Sequence, residues 1–438
     1  MDYALAHNTQ MKHLQNEQRR REVKAQASKD ARLPQFTGDM GGALSAIHYS
    51  GNANSTANNL GTADNRFDAN GLLLSMGLSG AVPLYTGKRL SSQLKADKYA
   101  MMAAVEDVRT AQKNLRIQVA AAYLQVLYNK GEEKIAQQRL EVSQLLLKRA
   151  RSLFDKGGRP ESDVVEATAM VSRDEALLTA AEGETALSEL DLKQLLNLPD
   201  TVVFAISELT DDALHDSLAI INYPLPAADS HSAVQSANYG ILQAAQVVQS
   251  ARSGYYPTLS LVGQLGTLWA NLNTDMRHSG QIHLQQPLEN LGAFDYTITD
   301  EAEWKRNSFL YGMVGLKLTV PVFNAFQTRA RIRTAKASLE DAKLAYDDAR
   351  QRVRKDLSQA WLMAVTAHKR YKSEVKAEQS GALAYQYALK RYNAGMATLF
   401  DLSQSRQQWF TTQENALRMK YEYLIRKRIL YIQADLGY

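Results

Sequence analysis

Cysteine is absent from the 438 residues, which excludes disulfides, thiolate metal sites, cysteine nucleophiles and a lipid anchor on cysteine within this chain. Long apolar runs are missing too. No stretch of ~20 uninterrupted apolar residues occurs, which argues against a membrane-spanning helix. The most apolar region, Gly71 to Tyr85, is broken by Ser75, Gly77, Ser79, Gly80 and Pro83. With 22% charged residues and a mean hydropathy of -0.35, the chain is too polar for a bundle of spanning helices. A membrane role would therefore need a β-barrel or a peripheral mode. Charge of one sign is scarce: the net charge is +5, and Arg19, Arg20 and Arg21 form the only tight basic triplet. That triplet reads as a solvated helix face, so no nucleic-acid partner is expected. The eight histidines do not cluster; His278 and His283 share a predicted loop, but no carboxylate pair stands at ligand spacing. No phosphate-binding glycine loop exists. The expectation is no metal, no cofactor and no enzyme. The opening Met1 to Asn8 has no basic n-region and no apolar h-region, so no signal peptide is visible. Either the protein is cytosolic or its true N-terminus is missing.

Proline is scarce, and its placement is informative because it breaks helices and interior strands. The nine prolines lie at 34, 83, 160, 199, 224, 226, 257, 287 and 321. The two tracts between 83 and 160 and after 321 contain none and are rich in strong helix formers. In the second tract a stripe of Ala342, Ala345, Ala349, Val353, Leu357, Ala360, Ala364, Ala367 and Tyr371 steps by three and four. This is a coiled-coil-like seam whose small residues allow close helix approach. The first tract offers Ala104, Val108, Ala111, Leu115, Val119, Ala122 and Val126.

Four segments alternate with period two instead. Leu72, Leu74, Met76, Leu78, Val82 and Leu84 oppose Ser75, Gly77, Ser79 and Pro83. Leu310, Val314, Leu316, Leu318, Val320 and Val322 repeat the pattern, and weaker versions start at Phe36 and Leu259. Each is long enough to cross a bilayer as a tilted strand of ~9–11 residues. Such alternation with aromatics near the ends is the signature of a transmembrane barrel. An amphipathic sheet in a soluble sandwich is the alternative these strands leave open.

A constant offset links the two halves. Shifted by 238, which is 321 minus 83, Val82-Pro83-Leu84-Tyr85 falls on Val320-Pro321-Val322-Phe323. Without a gap, Phe154-Asp155-Lys156-Gly157 falls on Tyr392-Asn393-Ala394-Gly395, and Asp163 falls on Asp401. The reading is a tandem duplication: a first copy over 1–199, a linker over 200–230 and a second copy over 231–438. The first copy has a leading helix up to 32, strands over 35–48 and 71–85, a long helix over 88–155 and a return helix over 161–198. The second has a helix over 231–254, strands over 257–270 and 309–323, a long helix over 326–393 and a return helix over 398–436. The extra residues of the second copy, around 271–308, read as a polar loop. Each long helix would measure about 100 Å.

These motifs, in order and twice, resemble the TolC family of outer-membrane factors over essentially the whole chain. Asp2-Tyr3-Ala4-Leu5-Ala6-His7-Asn8 is similar to the family's first-helix opening. The junctions at Pro34 and Pro257 resemble its helix-to-strand entries, and those at Pro83 and Pro321 its strand-to-helix exits. Tyr392-Asn393-Ala394-Gly395 with Phe400-Asp401-Leu402 resembles its hairpin tip. The resemblance implies a mixed α and β membrane protein: a homotrimer with four strands per subunit in one twelve-stranded outer-membrane barrel, embedded in outer-membrane lipid. The barrel would be continued by a long α-helical periplasmic barrel. It implies an export channel working with a periplasmic adaptor and an inner-membrane pump, and a signal peptide upstream of residue 1. Small-molecule efflux and type I polypeptide secretion both fit this pattern. A soluble coiled-coil scaffold is the reading from a different class.

Gly157 and Gly395 permit chain reversal after each long helix. Carried over from the family, Asp163 would hydrogen-bond Tyr392 and tie two hairpins into a closed periplasmic gate. The family's best-known member has an arginine where this sequence has Ala397, so Arg159 in the other turn is the candidate substitute. That member's second acid, one turn after its Asp, is here Gln404, and Glu166 could restore its charge. The gate would open when an adaptor engages the hairpins. Against this stands a plainer reading: Asp163 and Asp401 cap and solubilise helix starts, as acids in a first turn do.

Overall fold

The computed structural model describes residues 1–54, 62–199, 202, 206–207, 228–283 and 293–435. The inter-repeat segment 200–230 and the final residues 436–438 thus lie mostly outside the described residues, as does Pro287. Two compact units form. One comprises 1–25, 95–245 and 336–438; the other comprises 26–94 and 246–335.

The helices are α1 (Asp2–His7), α2 (Thr9–Asp30), α3 (Arg89–Asp155), α4 (Glu161–Leu196), α5 (Ser232–Arg252), α6 (Gln327–Asn393) and α7 (Leu399–Gln433). α3 and α6 have 67 residues each, about 100 Å at 1.5 Å per residue. Their ends stand 238 apart (327 minus 89 and 393 minus 155), so the offset seen in the sequence is also the offset of the folded helices. None of the described helices is long and apolar enough to cross a membrane.

The leading segment is not one helix. Asn8 is extended (ψ 131°) and separates α1 from α2. Its Oδ1 accepts from the backbone N–H groups of Gln10 (2.9 Å) and Met11 (3.3 Å), an N-cap arrangement. Its Nδ2 donates to the carbonyl of Leu195 at 3.3 Å. The leading helix therefore begins where the return helix α4 ends. Ala4, Met11, Val108, Leu115 and Val119 bury one cluster there, with Leu195 and Leu196 beside it. The second copy repeats this with Ala228, Val234, Val353, Leu357 and Ala434.

The sheet unit has four antiparallel strands in the order β1-β2-β3-β4: Gln35–Asn54, Thr62–Tyr85, Thr258–His283 and Ala293–Thr319. The register puts Met40, Met76, Thr267 and Leu310 in one row, and Gly38, Leu78, Leu265 and Gly312 in the next. Apolar side chains of this face are exposed: Met40 is 85%, Leu44 88% and Val314 79% accessible. Ser75, Gly77 and Ser79 lie on the opposite face by alternation.

The strands are longer than periodicity suggests. β1 continues past 48, β2 starts before 71, and most of the polar segment 271–308 is strand rather than loop. Alternation marks only strand that is apolar on one face. Beyond that band the ladder of backbone hydrogen bonds continues through Asn, Asp, Thr and Ser, which carry no such signal. β4 also ends at Thr319 rather than at 323. Pro321 thus follows its strand, whereas Pro83 lies inside β2, at a register shift between Pro83 and Tyr85. Pro34 and Pro257 directly precede β1 and β3.

Both strand exits turn on two successive left-handed residues: Gly87 and Lys88 (φ 59° and 69°), then Ala325 and Phe326 (φ 48° and 60°). A Cβ at Gly87 would lie 2.7 Å from Cβ of Tyr256 and 3.1 Å from the Ser253 carbonyl. Gly87→Ala is therefore expected to cost more than about 1 kcal/mol. Ala325→Gly removes a left-handed penalty of about 1–2 kcal/mol against an entropic cost of about 0.4–1 kcal/mol, a net gain. Thermal unfolding of the detergent-extracted protein by circular dichroism checks both; an unchanged Tm for Gly87→Ala contradicts the account.

Candidate functional site

The two hairpin tips are built alike. Gly157 and Gly395 both adopt φ 71°, a conformation glycine takes without a Cβ penalty. Gly158 N–H donates to the Leu153 carbonyl (2.9 Å) and Gly157 N–H to Phe154 (2.8 Å). In the second tip Met396 donates to Arg391 (3.0 Å) and Gly395 to Tyr392 (3.1 Å). These are the paired bonds of a Schellman helix end, which satisfy the last carbonyls.

The following helices start differently. Pro160 precedes α4 with no side-chain cap. Thr398 caps α7 through a capping box: its hydroxyl accepts from Asp401 N–H (3.1 Å), and the Asp401 carboxylate accepts from Thr398 N–H (3.0 Å) and hydroxyl (2.7 Å). These bonds hold the Asp401 carboxyl below its ordinary range, the Thr398 hydroxyl contributing most. Asp401 and the neighbouring Gln404 are exposed. The capping reading of Asp401 is thus realised in full geometry.

All four hairpin helices contribute to one core behind the tips. Leu146 and Ala150 come from α3, Ala167 and Met170 from α4, Tyr385, Ala388 and Tyr392 from α6, and Leu399 and Leu402 from α7. Tyr392 is 2% exposed. Burial pushes its phenol above the ordinary range, and the Asp163 carboxylate adds to that while Arg159 opposes it. The structure thus brings Asp163, Glu166, Arg159 and Tyr392 into one electrostatic neighbourhood.

The expected Asp163–Tyr392 hydrogen bond is not formed. The Tyr392 hydroxyl and Oδ2 of Asp163 are each buried without a hydrogen-bond partner. The link between hairpins is made by Arg159 instead. Its guanidinium lies 4.9 Å from the centroid of the Tyr392 ring, and its Nη2 donates to the Ala397 carbonyl at 3.0 Å. The long arginine stem reaches across from the first turn to the backbone of the second. Arg159 and Ala397 are equivalent positions of the two copies (397 minus 159 is 238).

Sequence reasoning missed a second group deeper in the same bundle. Nη1 of Arg406 on α7 donates to Oδ2 of Asp174 on α4 at 2.7 Å, with both side chains almost fully buried. Periodicity hides this pair, because a buried arginine and aspartate read as solvated helix positions. No group of three or more His, Asp or Glu able to hold a metal is found among the described residues.

A tandem pair of helical hairpins leading into two strand pairs defines the class of protein. The profile of the family described as outer membrane efflux protein matches residues 1–198 and 226–432, and the chain belongs to that family. It is 23% identical over 307 residues to the outer membrane efflux protein BepC of Brucella suis, covering 70% of this chain and 59% of that protein. It is 23% identical over 333 residues to the pyoverdine export outer membrane protein OpmQ of Pseudomonas putida, covering 74% of this chain and 62% of that protein. The chain thus spans about three fifths of the length of these relatives. The outer-membrane channel OprN shares the fold, with a TM-score of 0.76 at 18% identity, over 100% of this chain and 89% of that one.

Tyr392→Phe removes a buried hydroxyl that has no partner, so it is expected to leave thermal stability unchanged or to raise it by up to about 1 kcal/mol. Arg159→Ala loses a hydrogen bond and a cation–π contact, about 1–2 kcal/mol. A Tyr392→Phe cost larger than that of Arg159→Ala would show that the phenolic hydroxyl carries the link. Thr398→Ala is expected to cost about 1 kcal/mol by loss of the cap. Because the Asp401 carboxyl is depressed, its cap is fully present above the ordinary carboxylate range near pH 4 and is lost as pH falls through the depressed value. Carboxyl titration by NMR should show Asp401 returning toward its ordinary range in Thr398→Ala.

Proposed function

We propose that this chain is one subunit of a trimeric outer-membrane channel. Through it an inner-membrane pump and a periplasmic adaptor export small molecules; the protein is a conduit and performs no catalysis. The observation that carries this is the unclosed four-stranded sheet with its apolar face exposed. In a bilayer the free backbone groups of β1 and β4 must be paired, and only a closed barrel pairs them all. Neighbouring copies supply the missing edges, β1 of one against β4 of the next. Two copies would make eight strands, whose interior is filled by side chains. Three make twelve, enough to leave a lumen lined by the opposite face.

The helices support the same reading. Two tracts of equal length, about 100 Å each, suit a tunnel wall that must span the periplasm evenly. The tips, where the long helices end, form the periplasmic mouth, with Asp163, Glu166, Arg159 and Tyr392 at the contact between hairpins. The second copy and the first have interchangeable architecture: 1–199 and 231–438 each give one hairpin and one strand pair.

The test is purification in detergent followed by insertion into planar bilayers. The expected particle is three times the 48.8 kDa chain, with discrete conductance steps, and cells lacking the protein should become hypersensitive to amphiphilic drugs. A monomer extractable without detergent would favour the soluble scaffold. Unchanged drug sensitivity together with loss of a secreted polypeptide would favour polypeptide secretion.

A further inference from the structure

The apolar face of the sheet is not evenly covered. Register aligns Phe36, Gly80, Gly263 and Val314 in one row across β1 to β4. The two central strands thus present bare backbone there. The next rows present Leu78 and Leu265 on one side and Val82 and Leu261 on the other. The result is a bowl of about 490 Å³ centred on β2 and β3. The Phe36 ring forms one wall, since a Cβ at Gly80 would lie 2.9 Å from two of its carbons. At Gly263 the nearest atom would be 3.7 Å away, so this part of the floor is open. The bowl lies within the four strands, away from the edges that a neighbouring copy would cover. A barrel built from several copies leaves it facing lipid.

The strand–helix junctions beside the bowl are cationic without counter-charge. Residues 31–38, 81–94, 246–262 and 316–335 contain eight Lys and Arg and no Asp or Glu. Arg32, Lys88, Arg89, Arg252 and Arg329 are exposed, and none forms an ion pair among the described residues. Three junctions adjoin one another: Gly87 packs on Tyr256, and the Thr328 hydroxyl donates to the Gly254 carbonyl at 3.4 Å. Lys88, Arg252 and Arg329 are therefore carried on contiguous backbone. All of these residues belong to the sheet unit.

Tyr85, Tyr255, Tyr256 and Phe323 are exposed at the same junctions. Aromatic rings collect at the headgroup boundary of a bilayer, so the cations lie at the depth of lipid phosphates. β2 ends at Tyr85, five residues past Gly80. At about 3.4 Å per residue and a tilt of about 40°, that is about 13 Å along the membrane normal. Half the hydrocarbon thickness is about 15 Å. A lipid whose phosphate meets the cations therefore has an acyl chain long enough to fill the bowl.

We infer that the bowl and the junction cations form one binding site for an anionic phospholipid of the periplasmic leaflet. Its phosphate lies among Lys88, Arg252 and Arg329, and one acyl chain lies over Gly80 and Gly263. The inference rests on the outer-membrane reading of the sheet. Fluid lipid around a barrel needs neither a bowl in the apolar face nor an excess of one charge at its rim. Here the two occur together, one acyl chain apart.

The test uses the full-length protein, extracted in detergent, stripped of lipid and titrated with dioleoyl phosphatidylglycerol or dioleoyl phosphatidylcholine. Bound lipid is counted by native mass spectrometry. The chains are identical, so a difference reports the headgroup. Phosphatidylglycerol is expected to bind at least about tenfold more tightly; equal binding overturns the inference. The triple variant Lys88→Gln, Arg252→Gln, Arg329→Gln should abolish the preference. Gly263→Leu fills the bowl and should weaken both lipids at least about tenfold. An unchanged preference in the first, or unchanged binding in the second, also overturns the site. Glycerol 3-phosphate, a headgroup without chains, should not displace the lipid; displacement would assign the cations to a free phosphate ligand instead. Should a variant fail to fold, phosphatidylglycerol with a photoreactive acyl chain is applied to the wild-type protein. Label on residues 78–82 or 261–265 supports the site, and label only elsewhere refutes it. Failure of the outer-membrane reading shows separately, as wild-type protein released from cells in soluble form without detergent.

Discussion

Close packing of small residues along α3 and α6 is the contact on which the helical unit depends. A helix of 67 residues gains little by itself in water. Its stability comes from neighbours that must approach closely over its whole length. Ala150, Ala167, Ala364 and Ala388 are at or near complete burial. Glycine does the same inside helices: Gly381 lies against Thr412 and the Trp409 backbone, and Gly131 lies against Leu417. Larger residues on these seams would separate the helices locally.

The sheet obeys a different constraint. Met40, Leu44 and Val314 lie exposed on one face, while Ser75, Gly77 and Ser79 share the opposite face with Tyr311 and Met313. The free edges of β1 and β4 add a second demand, since neither edge has a partner among the described residues. An exposed apolar face and two open edges together are what a lipid-embedded, shared barrel requires of each subunit.

At the tips the two copies agree in backbone and differ in chemistry. Glycines with the same φ reverse both chains, yet one return helix starts at Pro160 and the other at a Thr398–Asp401 capping box. Arg159 of the first copy donates to the Ala397 carbonyl of the second, and Arg406 of the second pairs with Asp174 of the first, where the equivalent positions Thr168 and Thr412 are uncharged. A duplicated scaffold has acquired contacts that need both copies.

The duplicated order of helices and strands, the equal length of the long helices and the turn positions of Gly157 and Gly395 were all determined by the sequence alone. Proline spacing, a step of three and four, and glycine at a helix end act locally, so they can be read along the chain. The outer halves of the strands were not legible, because polar residues on both faces leave no period to detect. The break at Asn8 was hidden as well, because an asparagine suits a helix surface as readily as a cap. Tertiary structure alone decided which tip groups meet. Asp163 and Tyr392 were expected to bond and do not, Arg159 took the cross-hairpin role, and the buried Asp174–Arg406 pair was unforeseen. Those outcomes depend on distances between segments more than two hundred residues apart, which no local pattern encodes.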